Sequence, residues 1–296
     1  MPWWLVVVII AYALNAVAAV VDKVLLSKSI GNPAVYAFYI ALLSMLGWVL
    51  APFGVRIPAS DEFALNMGAG IVFTFALLFL FKGLKKGESS RITPFVGALS
   101  PVFVWLFSYF LLPERLSLQG IGALVFLVVG SLVLVERGGD KHARGGGGFG
   151  AACVSAILFG FSYTLTKYNF NHQPFVSAFV WMRLGAFLGG AFLLLSARNR
   201  KDILHPPHSA TKNTGWFFFG QAAGACSFVL VNYAISLANV SLVNALQGVQ
   251  YVFLLVMVWL LSWINPALLH ERMHGKALAQ KIIAIGIIGA GFVLLL

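Results

Sequence analysis

The chain has 296 residues, of which 60% are hydrophobic and 10% charged, with a mean hydropathy of +0.91. Soluble domains are about 45–50% apolar and about 25% charged, and disordered chains are polar and charge-rich, so both classes are excluded. The formal net charge is +11, from 20 Lys+Arg against 9 Asp+Glu, and there are only 2 cysteines. That is too few charges for a nucleic-acid surface and too few cysteines for a disulfide framework.

A spanning helix takes about 20 mostly apolar residues, and only helices or closed barrels cross a bilayer. A barrel would alternate apolar and polar residues in segments of about ten. Trp3 to Val21 and Ile121 to Val135 are continuously apolar instead. The chain is therefore expected to be an all-α polytopic membrane protein. Ten spans fit, at roughly 3–24, 33–52, 64–84, 92–112, 118–135, 149–168, 174–197, 214–237, 241–263 and 278–296. We call these spans 1 to 10. Trp3 and Trp4 open span 1 as an interfacial anchor. Ala16-Val17-Ala18 looks like a signal-peptide cleavage site, but no cation precedes the apolar stretch as a signal requires, so span 1 reads as retained. Arg144-Gly145-Gly146-Gly147-Gly148 is a flexible linker by composition. It has no preceding strand, which a phosphate-cradling glycine loop needs.

With ten spans, loops alternate between two sides. The odd-numbered loops and the helix ends beside them hold Lys23, Lys28, Lys82, Lys85, Lys86, Arg91, Arg137, Lys141, Arg144, Arg198, Arg200, Lys201, Lys212, Arg272, Lys276 and Lys281. The other side holds Arg56, Arg115 and Lys167, and Arg183 lies inside a span. The positive-inside rule then predicts odd loops in the cytoplasm and both termini outside the cytoplasmic membrane.

The chain repeats itself. Asn32-Pro33-Ala34-Val35-Tyr36-Ala37-Phe38 recurs as Gln173-Pro174-Phe175-Val176-Ser177-Ala178-Phe179. Gly97-Ala98-Leu99-Ser100-Pro101-Val102-Phe103 matches Gln247-Gly248-Val249-Gln250-Tyr251-Val252-Phe253, and Glu114-Arg115 matches Glu271-Arg272. Each copy ends in a Gly-rich apolar helix, at Gly130 and at Gly289 to Gly291. Residues 1–137 and 149–296 are thus two five-helix repeats around a linker at 138–148. Five is odd, so the second copy is inverted. Inverted repeats are a feature of secondary transporters, with the solute near the midplane.

Over nearly its whole length, and most specifically from Pro94 to Val135, the chain resembles the drug/metabolite transporter superfamily, with two EamA-like domains. The carrying features are Ser100-Pro101-Val102, then Leu112-Pro113-Glu114-Arg115-Leu116, then a Gly-spaced helix. Arg183, nine residues after Pro174, matches the family's arginine in the second helix of a repeat. Leu42, at the matching place in the first repeat, departs from the pattern, as does Tyr251 where the family usually has proline. The resemblance implies a ten-helix carrier with termini inside, opposite to the sidedness that the charges predict.

Polar side chains within spans are functional candidates, and interhelical hydrogen bonds worth about 0.6 kcal/mol are the plainer alternative. Asn244, Gln247 and Tyr251 are three and four apart and share a face of span 9, where the repeat-equivalents in span 4 are Pro94, Gly97 and Pro101. Gln221 and Asn232 share a face of span 8. Ser155, Ser162 and Thr166 share one in span 6, where Tyr163 sits above Lys167, and span 1 supplies Asn15. The family resemblance implies that helices at these positions line a central cavity. Gly185/Gly189 and Gly220/Gly224 are GxxxG pairs that suit close packing. Pro94, Pro101 and the Asn239 turn are expected flexible points.

No Asp or Glu falls at mid-membrane, so a carboxylate proton relay is missing and a facilitator or exchanger is expected. Arg183 and Lys167 favour an anionic or zwitterionic solute; their plainer roles are bonding helix-end carbonyls and snorkelling. One enzyme reading competes. His270-Glu271-Arg272-Met273-His274 has the H-E-x-x-H spacing of zinc proteases. Against it, Glu271-Arg272 is already a repeat element, and no Asp or Glu follows to act as third ligand, though His205 and His208 fall on the same side. A non-transporting scaffold is the third class, disfavoured by inverted symmetry. The expectation is a non-enzymatic carrier with no cofactor and no metal, whose partners are a small-molecule solute and the lipid bilayer, not nucleic acid. Oligomeric state stays open, a homodimer included.

Overall fold

The computed structural model describes residues 1–25, 32–87, 89–113, 115–134, 148–205, 214–264 and 276–296. Among them there is helix and no strand. The helices are α1 (Trp3–Leu25), α2 (Pro33–Leu43), α3 (Ser60–Lys86), α4 (Ser89–Leu111), α5 (Leu118–Val133) and α6 (Phe149–His172). They continue as α7 (Phe175–Leu193), α8 (Ala197–Leu204), α9 (Thr214–Leu237), α10 (Val240–Ala245), α11 (Gln247–Ile264) and α12 (Lys276–Val293). Eight stretches are long and apolar enough to cross a membrane, and the shorter apolar helices Leu118–Val133 and Ala279–Val293 stand where spans 5 and 10 are expected. The protein is a polytopic all-α membrane protein.

Three elements depart from uninterrupted spans. Span 2 leaves α2 for a tight 3₁₀ segment, Ser44–Phe53. Ser44 turns its hydroxyl back onto the Ala41 carbonyl at 2.7 Å, and Pro52 has no N–H to continue an α ladder. The segment stops at Gly54, whose φ of 121° is open to glycine. Span 7 ends at Leu193, and α8 follows as a separate charged helix. Span 9 is divided at Leu246 into α10 and α11, while span 4 runs unbroken through Pro94 and Pro101. The Asn239 turn is held by its own side chain, which accepts from the Ser241 N–H at 3.0 Å and caps α10.

The chain forms two compact units. Unit one is Met1–Lys28, Leu116–Arg137 and Ser209–Leu296; unit two is Ser29–Arg115 and Gly138–His208. Each draws spans from both sequence halves. In unit one, α1 packs on α9 and α11, and α5 pairs with α12. In unit two, α6 packs on α3 and α4, and α2 pairs with α7. Advancing span numbers by five turns the pair 1–8 into 6–3 and 1–9 into 6–4, so the first three-helix packing is repeated in the second.

Small residues set these contacts. A Cβ on Gly70 of α3 would stand 2.2 Å from the Met182 carbonyl and 2.3 Å from the Ala186 nitrogen of α7. Gly185 and Gly189 meet the α3 backbone in return, at Met67 and Ile71. Gly220 and Gly224 lie against Val21 and Ala18 of α1. Both GxxxG pairs are close-packing surfaces. Hydroxyls add cross-helix bonds: Ser155 and Ser162 of α6 each donate to α3, to the Ala76 and Ala69 carbonyls, at 2.9 Å. Donors rise by seven as acceptors fall by seven, so the helices run antiparallel with a coiled-coil repeat.

Gly70→Ala should lower the thermal unfolding midpoint of the purified protein by several degrees, since overpacking costs about 1–3 kcal/mol. Gly68→Ala, where a Cβ would meet nothing within 4 Å, should leave it unchanged.

Candidate functional site

The expected site residues divide between the units. Unit one holds Asn15, Gln221, Asn232, Asn244, Gln247 and Tyr251; unit two holds Pro94, Pro101, Tyr163, Lys167 and Arg183.

In unit one, the polar contacts gather where span 9 is broken. Tyr12 of α1 donates its hydroxyl to the Val243 carbonyl at 3.0 Å, three residues before the break. Asn15, one turn on, donates to the Gln250 side chain at 3.1 Å, just beyond the break. Asn244 is buried and donates to the Val240 carbonyl of its own helix at 2.9 Å. Asn232 does the same to the Phe228 carbonyl at 2.8 Å. Tyr251 is buried, Gln247 is partly buried and Gln221 is exposed. Sequence spacing found Asn15 but missed its partner Gln250, which falls off the 244/247/251 face. Tyr12 was missed because an apolar helix flanks it on both sides.

Unit two is built around aromatic rings. Arg183 is 4% exposed, and its guanidinium lies over the Phe179 ring at 4.9 Å and the Phe73 ring at 5.6 Å. Its stem rests on Gly47 of the 3₁₀ segment, where an added Cβ would come within 2.9 Å of the arginine Cγ. Phe73 also meets Phe159 edge-on at 5.5 Å and Tyr163 at 6.4 Å. Phe159 and Tyr163 stack at 5.9 Å on consecutive turns of α6. Lys167 is one turn further and also 4% exposed. Helix α6 continues past it to His172, so Lys167 stands within the helix. Pro101 is buried in α4 and Pro94 partly so. Ser155 and Ser162 are committed to α3 carbonyls, and Thr166 is buried.

A second polar group in unit two escaped sequence reading. Asn66 of α3 donates to the Gln173 side chain at 2.9 Å. Asn169, seven residues after Ser162, is fully buried on the same face. The segment before α3 is tied to α7, with Ser177 donating to the Arg56 carbonyl at 3.1 Å and the Trp181 indole donating to it at 2.9 Å. Arg56 also pairs with Glu62 at 3.1 Å. The heptad Ser155, Ser162, Asn169 was the signal available. The H-E-x-x-H stretch 270–274, His208 and Glu114 lie outside the described residues.

Residues 2–136 match the EamA-like transporter family. That stretch, the first of the two repeats, is similar to an EamA-like transporter domain, and the match points to a membrane transporter. A solved crystal structure resembles the whole fold, with a TM-score of 0.68 over 98% of this chain and 94% of the other. Identity to it is 18%, so the likeness is one of fold. Among curated proteins none matches. The matched stretch supplies α1 and α5 to unit one and α2, α3 and α4 to unit two.

If the Asn15–Gln250 bond is only a helix–helix contact, a double-mutant cycle with Asn15→Leu and Gln250→Leu should return a coupling of about 0.6 kcal/mol in unfolding free energy. A coupling near zero would show that the two amides serve something other than each other.

Proposed function

We propose that the protein carries a small organic metabolite across the cytoplasmic membrane by alternating access, as a facilitator or exchanger. The observation that carries this reading is the repeated packing: span 1 on spans 8 and 9 in one unit, span 6 on spans 3 and 4 in the other. Duplicated halves that contribute equivalent elements suit a carrier with two alternative arrangements. The break at Leu246 supports it, since discontinuous helices accompany solute sites in transporters. The absence of carboxylates from the middle of the sequence's spans argues against simple proton-driven export. Candidate solute-contacting side chains on this reading are Asn15, Gln221, Asn232, Asn244, Gln247 and Tyr251 within unit one and, taken separately, Tyr163, Lys167 and Arg183 within unit two, while Pro94 and Pro101 belong to α4.

Purified protein in proteoliposomes should catalyse counterflow of a labelled metabolite drawn from a cell-extract pool. Asn244→Leu or Gln247→Leu should abolish that flux with expression unchanged. Wild-type flux in both variants sinks the assignment of this face. No counterflow with any solute pool favours a scaffold. The charge bias further proposes both termini outside, so a periplasm-dependent reporter fused after Leu296 should be active and a cytoplasm-dependent one silent.

A further inference from the structure

We propose that α8 is an interfacial helix that binds the headgroups of anionic phospholipids. Span 7 ends at Leu193 and α8 begins at Ala197, so the helix hangs from the end of a span. Its eight residues reach about 12 Å, far short of the roughly 30 Å hydrocarbon core. It therefore lies where the bilayer meets water. Its sequence carries Arg198, Arg200 and Lys201 against one acid, Asp202.

Three tethers fix which side of α8 faces outward. Asn32 donates to the Asp202 carboxylate at 2.7 Å and to the Asn199 side-chain oxygen at 3.3 Å. Tyr39 of α2 donates to the Ile203 carbonyl at 3.0 Å, and Ile203 is buried in one core cluster with Ala34 and Leu193. With 3.6 residues per turn, Asn199, Asp202 and Ile203 form the inward face. The other side carries Ala197, Lys201 and Leu204, flanked by Arg198 and Arg200. All three cations are exposed, and among the described residues none of them is in an ion pair. The acid of the helix is held inward by Asn32, so the outward side is positive.

Leucines sit at both ends of that positive side, Leu195 at 81% and Leu204 at 64% exposure. Exposed leucines beside cations suit a bilayer surface, with the apolar groups at the acyl boundary and the charges at the phosphate level. Arginine meets a phosphate through parallel N–H donors and lysine meets it as a point charge. A soluble polyanion has charge for the cations and nothing for the leucines. A zwitterionic lipid has the chains and no net charge. An anionic phospholipid has both. Asn32 also caps α2, accepting from the Ala34 N–H at 3.0 Å, so a headgroup on α8 bears on the start of span 2.

The test uses the purified full-length protein with phosphatidylglycerol or phosphatidylcholine of the same acyl chains, and with glycerol phosphate and heparin as soluble anions. The thermal unfolding midpoint and the lipid retained through detergent washing, counted by native mass spectrometry, read binding. Phosphatidylglycerol should raise the midpoint and be retained several-fold better than phosphatidylcholine, and the soluble anions should not shift the midpoint. Its retention should fall about fivefold for each of Arg198→Gln, Arg200→Gln and Lys201→Gln. It should also fall at an ionic strength of about 1 M, where charges are screened beyond about 3 Å. Lys85→Gln with Lys86→Gln, exposed at the end of α3, should leave it unchanged. Equal retention of the two lipids, undiminished retention in the triple Gln variant, or an equal loss in the α3 variant would each overturn the proposal. So would a heparin shift as large as that of phosphatidylglycerol, which would assign the patch to a soluble polyanion. If the triple variant is unstable in detergent alone, Lys201→Gln decides.

Discussion

Backbone approach between helices is the constraint on which this fold depends. Lipid tails are as apolar as leucine, so apolar surface alone does not drive one span onto another. What remains is close contact and interhelical hydrogen bonding. Gly70, Gly185 and Gly189 bring α3 and α7 to touching distance. At that separation the Thr74 hydroxyl reaches the Ala186 carbonyl at 2.8 Å. Gly160 lets α4 approach α6 at Phe103, and Gly130 and Gly291 serve the α5–α12 pair. Once these crossings are set, the positions of Phe73, Phe159, Tyr163 and Arg183 follow, because each projects from a helix whose neighbours are fixed by a glycine.

Several of the described cations lie over aromatic rings. Lys82 lies over Phe79, Arg91 over Phe149 and Arg115 over Tyr109, at 4.4, 5.4 and 4.5 Å. Arg183 repeats the arrangement inside a span, with two rings. The chain has 26 phenylalanines against 9 acids, so rings are the more numerous group. The pattern is well suited to a bilayer. A ring costs nothing to bury, whereas a carboxylate would need its own desolvation repaid.

Much of the fold was legible because span length and hydropathy are dictated by bilayer thickness. The ten expected spans fall on helices, and α9 has the expected ends, 214 and 237. The 3₁₀ segment and α8 were not legible, since both depend on tertiary neighbours: Gly47 against Arg183, and α8 held by Asn32 and by Tyr39, which donates to the Ile203 carbonyl at 3.0 Å. Span 9 breaks at Leu246, where there is no proline, whereas Pro94 and Pro101 are absorbed within the unbroken α4. For the site, spacing on one helix identified polar faces but not partners. Asn244 and Asn232 turn to their own helices, Ser155 and Ser162 to α3, while Asn15 bonds a side chain on another span that the spacing had passed over.

The exchange of spans between the halves also sets an order of assembly during synthesis. Every helix of unit two lies before residue 209, so that body has all its parts while the last spans are still unmade. Helix α1 is the first to emerge and among the last to be satisfied, because α9 and α11 begin at Thr214 and Gln247. At about 5–20 residues per second, that leaves α1 waiting on the order of 10–40 s for its partners. Its flank with Tyr12 and Asn15 must be sheltered through that interval by lipid, by the insertion machinery or by α5, the other early member of its unit.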